Sequence, residues 1–176
     1  MDFKIYRANE QELIQGCRRG DRAAQKRLYD TFSPKMYALC CRYVKDSMEA
    51  EDVLVTAFTK ILDKIDQYKS EGSFEGWIRR VVVNEALTWL RRNRNMYLEL
   101  ELEAADYEPD YKSLSDHLEA EDLMTMINEL PSGYRIVFNL YAIDGYSHKE
   151  IADQLGISEN NLFVRLHRAR SQLLAA

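Results

Sequence analysis

The stretch Ser147-His148-Lys149-Glu150-Ile151-Ala152-Asp153-Gln154-Leu155-Gly156-Ile157-Ser158, followed by a helical run that ends in His167-Arg168-Ala169-Arg170, decides the reading of this chain. Ser147 and Glu150 stand at capping-box spacing, where hydroxyl and carboxylate each satisfy the other's orphan amide. Ile151, Ala152 and Leu155 fall on one face of a helix. Gly156 supplies a left-handed residue to end it, and Ser158 suits the N-cap of the next helix. Two helices joined this way predict a helix-turn-helix, whose second member is a common reader of the major groove.

That second helix sorts its own side chains. Leu162, Leu166, Ala169 and Leu173 share a face at helical spacing. At about 100° per residue, Asn160, Val164, His167, Arg168 and Ser171 point away from it, with Phe163 and Arg165 on the flanks. Asn pairs with adenine, Arg with guanine or phosphate, and an apolar side chain meets the thymine methyl. A solvated helix carrying some charge is the bland alternative.

Outward from this motif the chain reads as helices throughout. Its 176 residues allow one ordinary domain or two small ones. Apolar residues make up 46 %, enough for a packed core, and glycine and proline are scarce. No run alternates convincingly with period two, so the expected class is all-α. A net charge of −5 is unusual for a self-sufficient DNA binder, and it implies that any DNA binding is local or needs help. Cys17, Cys40 and Cys41 are an odd set with two adjacent, which suggests reduced thiols rather than a disulfide framework. With no apolar run of membrane-spanning length and no signal-peptide pattern, a cytoplasmic protein is expected.

Helical periodicity starts near Glu10 and stops near Gly20-Asp21. A second helix is expected from about Asp21 to Phe32, a junction at Ser33-Pro34, and a third helix through Met36, Tyr37, Cys40, Tyr43 and Val44. Asp46-Ser47 reads as a turn and cap. A fourth helix follows from Met48 to about Ile65, with Glu49, Glu51, Asp52, Thr56, Lys60 and Asp63 mostly off its apolar stripe. Tyr68 to Ser73 is a loop, and a fifth helix spans about Phe74 to Arg94. It carries Arg79, Arg80, Arg91, Arg92 and Arg94, with Arg80, Asn84, Leu87 and Arg91 as a polar stripe and Tyr68, Phe74, Trp77 and Trp89 nearby. Basic charge draws phosphate and aromatic rings stack on unpaired bases. A solvated basic face over an aromatic core is the competing reading.

From Asn95 to about Glu121 the composition turns acidic: nine carboxylates from Glu99 to Glu121 face only Lys112. This predicts a flexible linker over 95–119 between domains at 1–94 and 120–176. The second domain opens with Leu123, Ile127 and Leu130 on one helix, stopped before Pro131, and Ile136, Val137, Leu140 and Ile143 on the next, ending near Gly145. Enzyme signatures are not evident: there is no glycine-rich phosphate loop, no His-Glu-x-x-His and no cysteine pair at zinc spacing. His117, His148 and His167 are too scattered for a metal site, and no cofactor is expected.

The order of these parts resembles the extracytoplasmic-function (ECF) group of the sigma-70 family of RNA polymerase sigma factors. The marks are Ala50-Glu51-Asp52-Val53, Phe74-Glu75-Gly76-Trp77-Ile78-Arg79-Arg80 and Asn84 to Arg92 in the first half. In the second they are Leu130-Pro131, Tyr134-Arg135-Ile136-Val137-Phe138, Gly145-Tyr146-Ser147, Leu155-Gly156-Ile157-Ser158 and Arg165 to Arg170. The resemblance implies a promoter-specificity subunit that binds core RNA polymerase and promoter DNA, with an anti-sigma factor as a further partner. It implies that Glu51, Asp52 and Thr56 dock on polymerase. Tyr68, Lys69, Ser73, Trp77, Arg80 and Asn84 would capture an unpaired base of the minus-ten element, and Arg91 and Arg92 would hold phosphates. Asn160, Asn161, Phe163, Val164, Arg165, His167 and Arg168 would read the minus-thirty-five element. Two departures stand out. Val55-Thr56 replaces a frequent Gln-Glu pair, and Asn160-Asn161 with Phe163-Val164 replaces Gly-Thr followed by a basic residue and Ser. A stand-alone helix-turn-helix regulator is the alternative function.

Overall fold

A computed structural model describes residues 3–93 and 120–175, with side chains over 9–93 and 123–174. The acidic stretch 95–119, with its expected linker character, lies outside the described residues, as do Arg94 and His117. The chain divides into two compact units, Met1–Trp89 and Leu90–Ala176. Among the described residues every regular element is helical.

The first unit is built from α1 (Phe3–Arg18), α2 (Arg22–Tyr43), α3 (Ser47–Asp63), a 3₁₀ turn (Ile65–Gln67) and α4 (Phe74–Arg92), whose last three residues run past the boundary at Trp89. The expected stop at Gly20-Asp21 is present: Gly20 takes φ +74°, and the Asp21 carboxylate accepts the Ala23 amide at 2.9 Å. The backbone of α1 is helical from Phe3, earlier than the expected start near Glu10. Asp46 caps α3 through bonds from the Met48 and Glu49 amides at 2.9 and 3.0 Å.

The junction expected at Ser33-Pro34 is absent, and α2 runs straight through it. An interior proline removes a donor and crowds the preceding turn, at a cost of about 3 kcal/mol. Here Pro34 and Asp30 are exposed, so water can meet the carbonyl that loses its partner. On the opposite side Leu28, Phe32, Met36, Leu39, Cys40 and Tyr43 form one buried stripe across the proline. Each large apolar side chain buried there contributes about 1.5–3 kcal/mol. Burial on both sides of Pro34 outweighs the local preference to break.

α1 and α3 pack on α2. α4 meets both α2, through Phe32 on Phe74 with ring centroids 5.8 Å apart, and α3, through the ion pair of Lys60 with Glu85. Its buried arc is therefore wide: Ile78, Val82, Val83, Ala86, Leu87 and Leu90 are all enclosed. Leu87, expected on the polar stripe, belongs to the core instead, because one helix face sufficed for the sequence reading while two neighbours cover the folded helix.

The second unit holds α5 (Ala120–Glu129), α6 (Ser132–Phe138), a π-helical segment (Asn139–Ile143), α7 (His148–Leu155) and α8 (Glu159–Ala175). Ile127, Leu130, Tyr134, Ala169 and Leu173 form a core cluster that joins α5, α6 and α8. The helix that periodicity continued to Gly145 is α-helical only to Phe138; beyond it the Asp144 amide reaches the Asn139 carbonyl at 2.9 Å. Such a π turn inserts a residue without ending the helix.

Candidate nucleic-acid interface

The helix-turn-helix has the local chemistry its sequence requires. The Ser147 amide donates to Glu150 Oε2 at 2.8 Å, while the Glu150 amide donates to Ser147 Oγ at 3.3 Å. Gly156 sits at φ +66°, and the Ser158 hydroxyl accepts from the Asn161 amide at 3.2 Å. Buried Leu162, Leu166, Ala169 and Leu173 hold α8 to its unit.

Asn160, Phe163, Val164 and His167 are exposed on the outer side of α8. Arg168 is half-buried and its Nη1 donates to the Tyr134 hydroxyl at 3.2 Å. Two residues depart from expectation. Arg165 is only 2 % exposed, with Nε donating to Asn161 Oδ1 at 2.5 Å, so both side chains of that pair are turned towards each other. Ser171 is buried, its hydroxyl bonded to the His167 carbonyl at 3.0 Å. Arg165 lies on the flank of the apolar face, and the packing of α8 closes over that flank.

The second basic surface is the loop before α4 and the helix itself. Tyr68 is buried, with its hydroxyl donating to the Gly72 carbonyl at 3.0 Å. Its ring lies 5.0 Å from Phe74 and 5.6 Å from Trp77. Phe74 and Trp77 stack at 5.9 Å with planes 10° apart. Tyr68 thus forms the floor of the loop, and the rim consists of exposed Lys69 and Ser73 with half-buried Trp77. Ser70 at φ +60° and Gly72 at φ +84° fold the loop back on itself. The Ser73 carbonyl accepts the first helical bond of α4, from Trp77 at 3.0 Å. Arg80, Asn84, Arg91 and Arg92 are exposed along α4. Arg18, which periodicity did not single out, anchors the loop: its Nη2 donates to the Tyr68 carbonyl at 2.7 Å.

Glu51, Asp52 and Thr56 share the exposed side of α3 with Met48 and Val55. Lys60, grouped with them from the sequence, turns instead to Glu85 of α4. Among the described residues no group of three or more His, Cys, Asp or Glu could hold a metal ion, and no helix is long and apolar enough to cross a membrane.

A capped helix-turn-helix in one unit, and a cationic helix with an aromatic-floored loop in the other, occur where family descriptions match: Sigma-70 region 2 over residues 28–96 and Sigma-70, region 4 over residues 120–173. The chain therefore belongs to the sigma-70 family, as a sigma factor of the ECF type. It is 28% identical over 172 residues to the ECF RNA polymerase sigma factor SigW of Bacillus subtilis, covering 91% of this chain and 92% of that protein. It is 29% identical over 163 residues to the ECF RNA polymerase sigma factor SigE of Mycolicibacterium smegmatis, covering 88% of this chain but 63% of that longer protein. The fold is similar to that of the sigma factor RpoE in its complex with the anti-sigma factor NepR from Bartonella quintana, with a TM-score of 0.50, 19% identity and coverage of 84% and 92%.

Proposed function

We propose that this chain is a cytoplasmic promoter-specificity subunit that catalyses nothing itself. It binds core RNA polymerase through the α3 face of Glu51, Asp52 and Thr56. It takes the minus-ten element on the loop from Tyr68 to Ser73 and on α4, with Arg80 and Asn84 at the unpaired base and Arg91 and Arg92 on phosphates. It reads the minus-thirty-five element with the outer face of α8: Asn160, Phe163, Val164, His167 and Arg168. Asn161 and Arg165 act by fixing that face. The domains run over 1–94 and 120–176, joined by 95–119. An anti-sigma protein that covers the polymerase- or DNA-binding faces is a further expected partner.

The observation that carries this reading is that each unit presents its own cationic helix. A stand-alone regulator needs only the helix-turn-helix; it leaves the exposed arginines of α4 and the aromatic loop unexplained. Melting DNA breaks stacking, at about 1.4 kcal/mol per step. Stacking one freed base returns about 1–3 kcal/mol, so polymerase must supply the rest. The net charge of −5 opposes duplex binding by the free protein.

In vitro transcription with core polymerase on a library of promoters tests the proposal. Transcripts that start at a shared pair of elements, and only when the chain is added, are expected. Tight, sequence-specific duplex binding by the chain alone, with no effect on polymerase, would instead identify a stand-alone regulator.

A further inference from the structure

Part of the outer face of α8, beside Asn160 and His167, is apolar. Phe163 is 51% exposed and Val164 47%. The Phe163 ring is also held in place. Its centroid lies 4.6 Å from the His148 imidazole, tilted by 48°. His148 in turn stacks flat on Tyr141, at 4.6 Å with planes 9° apart. The Arg170 guanidinium stands 5.7 Å from the Tyr141 ring. Tyr141 belongs to the π-helical segment and His148 opens α7, so three elements fix one aromatic ledge. Beside it is a recess of about 470 Å³, with Arg168 and Arg170 on its wall.

We propose that Phe163 and Val164 select promoters by packing on thymine 5-methyl groups, so that the element read by α8 carries A·T pairs at neighbouring steps. The inference rests on α8 being the promoter-reading helix. Neither side chain can donate or accept a hydrogen bond, so neither can claim guanine or adenine in the way Arg or Asn does. The thymine methyl is the apolar feature of a major-groove edge. An exposed ring held against His148, which itself stacks on Tyr141, loses little rotamer freedom on contact. The arginines beside the ledge match flanking phosphates.

The test uses polymerase holoenzyme reconstituted with the full chain and a library randomised across the minus-thirty-five region. Thymine should be enriched at two neighbouring positions. Replacing either thymine by uracil removes only the methyl, and should reduce promoter occupancy about fourfold at each position. Phe163→Ala and Val164→Ala should each abolish the thymine-over-uracil preference at one position while leaving transcription measurable. Enrichment of G·C pairs at every position, or equal occupancy with thymine and uracil, would overturn the proposal. So would a Phe163→Ala loss of equal size on both templates, which would mark the ring as structural or as a protein contact. No transcripts from any library member would sink the sigma-factor mechanism itself, a distinct result.

Discussion

Lys60 of α3 and Glu85 of α4 form an ion pair whose carboxylate is nearly enclosed: the Glu85 side chain is 7% exposed and that of Lys60 41%. The pair joins the helix proposed to meet polymerase to the helix proposed to meet melted DNA. Removing one partner strands a buried charge, whereas removing both does not. Lys60→Met should destabilise the chain by about 2–3 kcal/mol, less than a fully enclosed pair because Lys60 is partly solvated. Lys60→Met with Glu85→Leu should recover most of that loss. Urea unfolding of the single and double variants measures it; strictly additive losses would show that the pair is not coupled.

The capping box makes a separate prediction for the second unit. Glu150→Ala removes the acceptor of the Ser147 amide and hydroxyl, both at 2.8 Å. A cost of about 1 kcal/mol is expected. Because α7 carries His148, transcription from a minus-thirty-five-dependent promoter should fall as well. Thermal melting followed by helical circular dichroism gives the first quantity, and an unchanged melting temperature would exclude it.

The thiols should behave unequally. Cys41 is exposed, while Cys17 and Cys40 are buried. Burial pushes the Cys40 thiol up to about 12 and raises Cys17 as well. Iodoacetamide at pH 8 should therefore modify one cysteine quickly and the other two only on unfolding. A raised folded value means that the contribution to stability is complete below the unfolded thiol value and is lost as pH climbs from about 9 towards 12. Denaturant midpoints that rise across that window would contradict the burial of Cys40.

Charge reversal separates the two proposed surfaces of the first unit. Glu51→Arg with Asp52→Arg should weaken binding to core polymerase at least tenfold. Arg80→Glu with Arg91→Glu should leave that binding intact and block promoter opening. Fluorescence polarisation with labelled chain measures the first, and permanganate footprinting of melted thymines the second. Identical phenotypes for both variants would remove the assignment of separate faces.

Much of the architecture was legible in residue order. Caps are local chemistry, so Asp46, Ser147 with Glu150, Gly156 and Ser158 appear in the fold where side-chain type and spacing place them. Breaks are less local. Pro34 reads as a junction because proline weakens an isolated helix, yet the buried stripe of α2 carries the helix through. The π turn at Asn139–Ile143 left no signal in apolar periodicity, since it is the last turn of its helix and no later turn follows to show a shifted phase.

The amino-acid order by itself determined the helical class, the caps, the helix-turn-helix and the two basic helices, because periodicity and capping act within a few residues. Only the tertiary structure decided which of the candidate side chains face outward. It turned Arg165 to Asn161, Lys60 to Glu85, Tyr68 beneath Trp77 and Leu87 into the core, and it set Phe163 against His148. The Arg165–Asn161 pair lies one turn apart on a single helix; the other outcomes depend on neighbours from other segments that compete for each side chain, and no count of residues along one helix contains them.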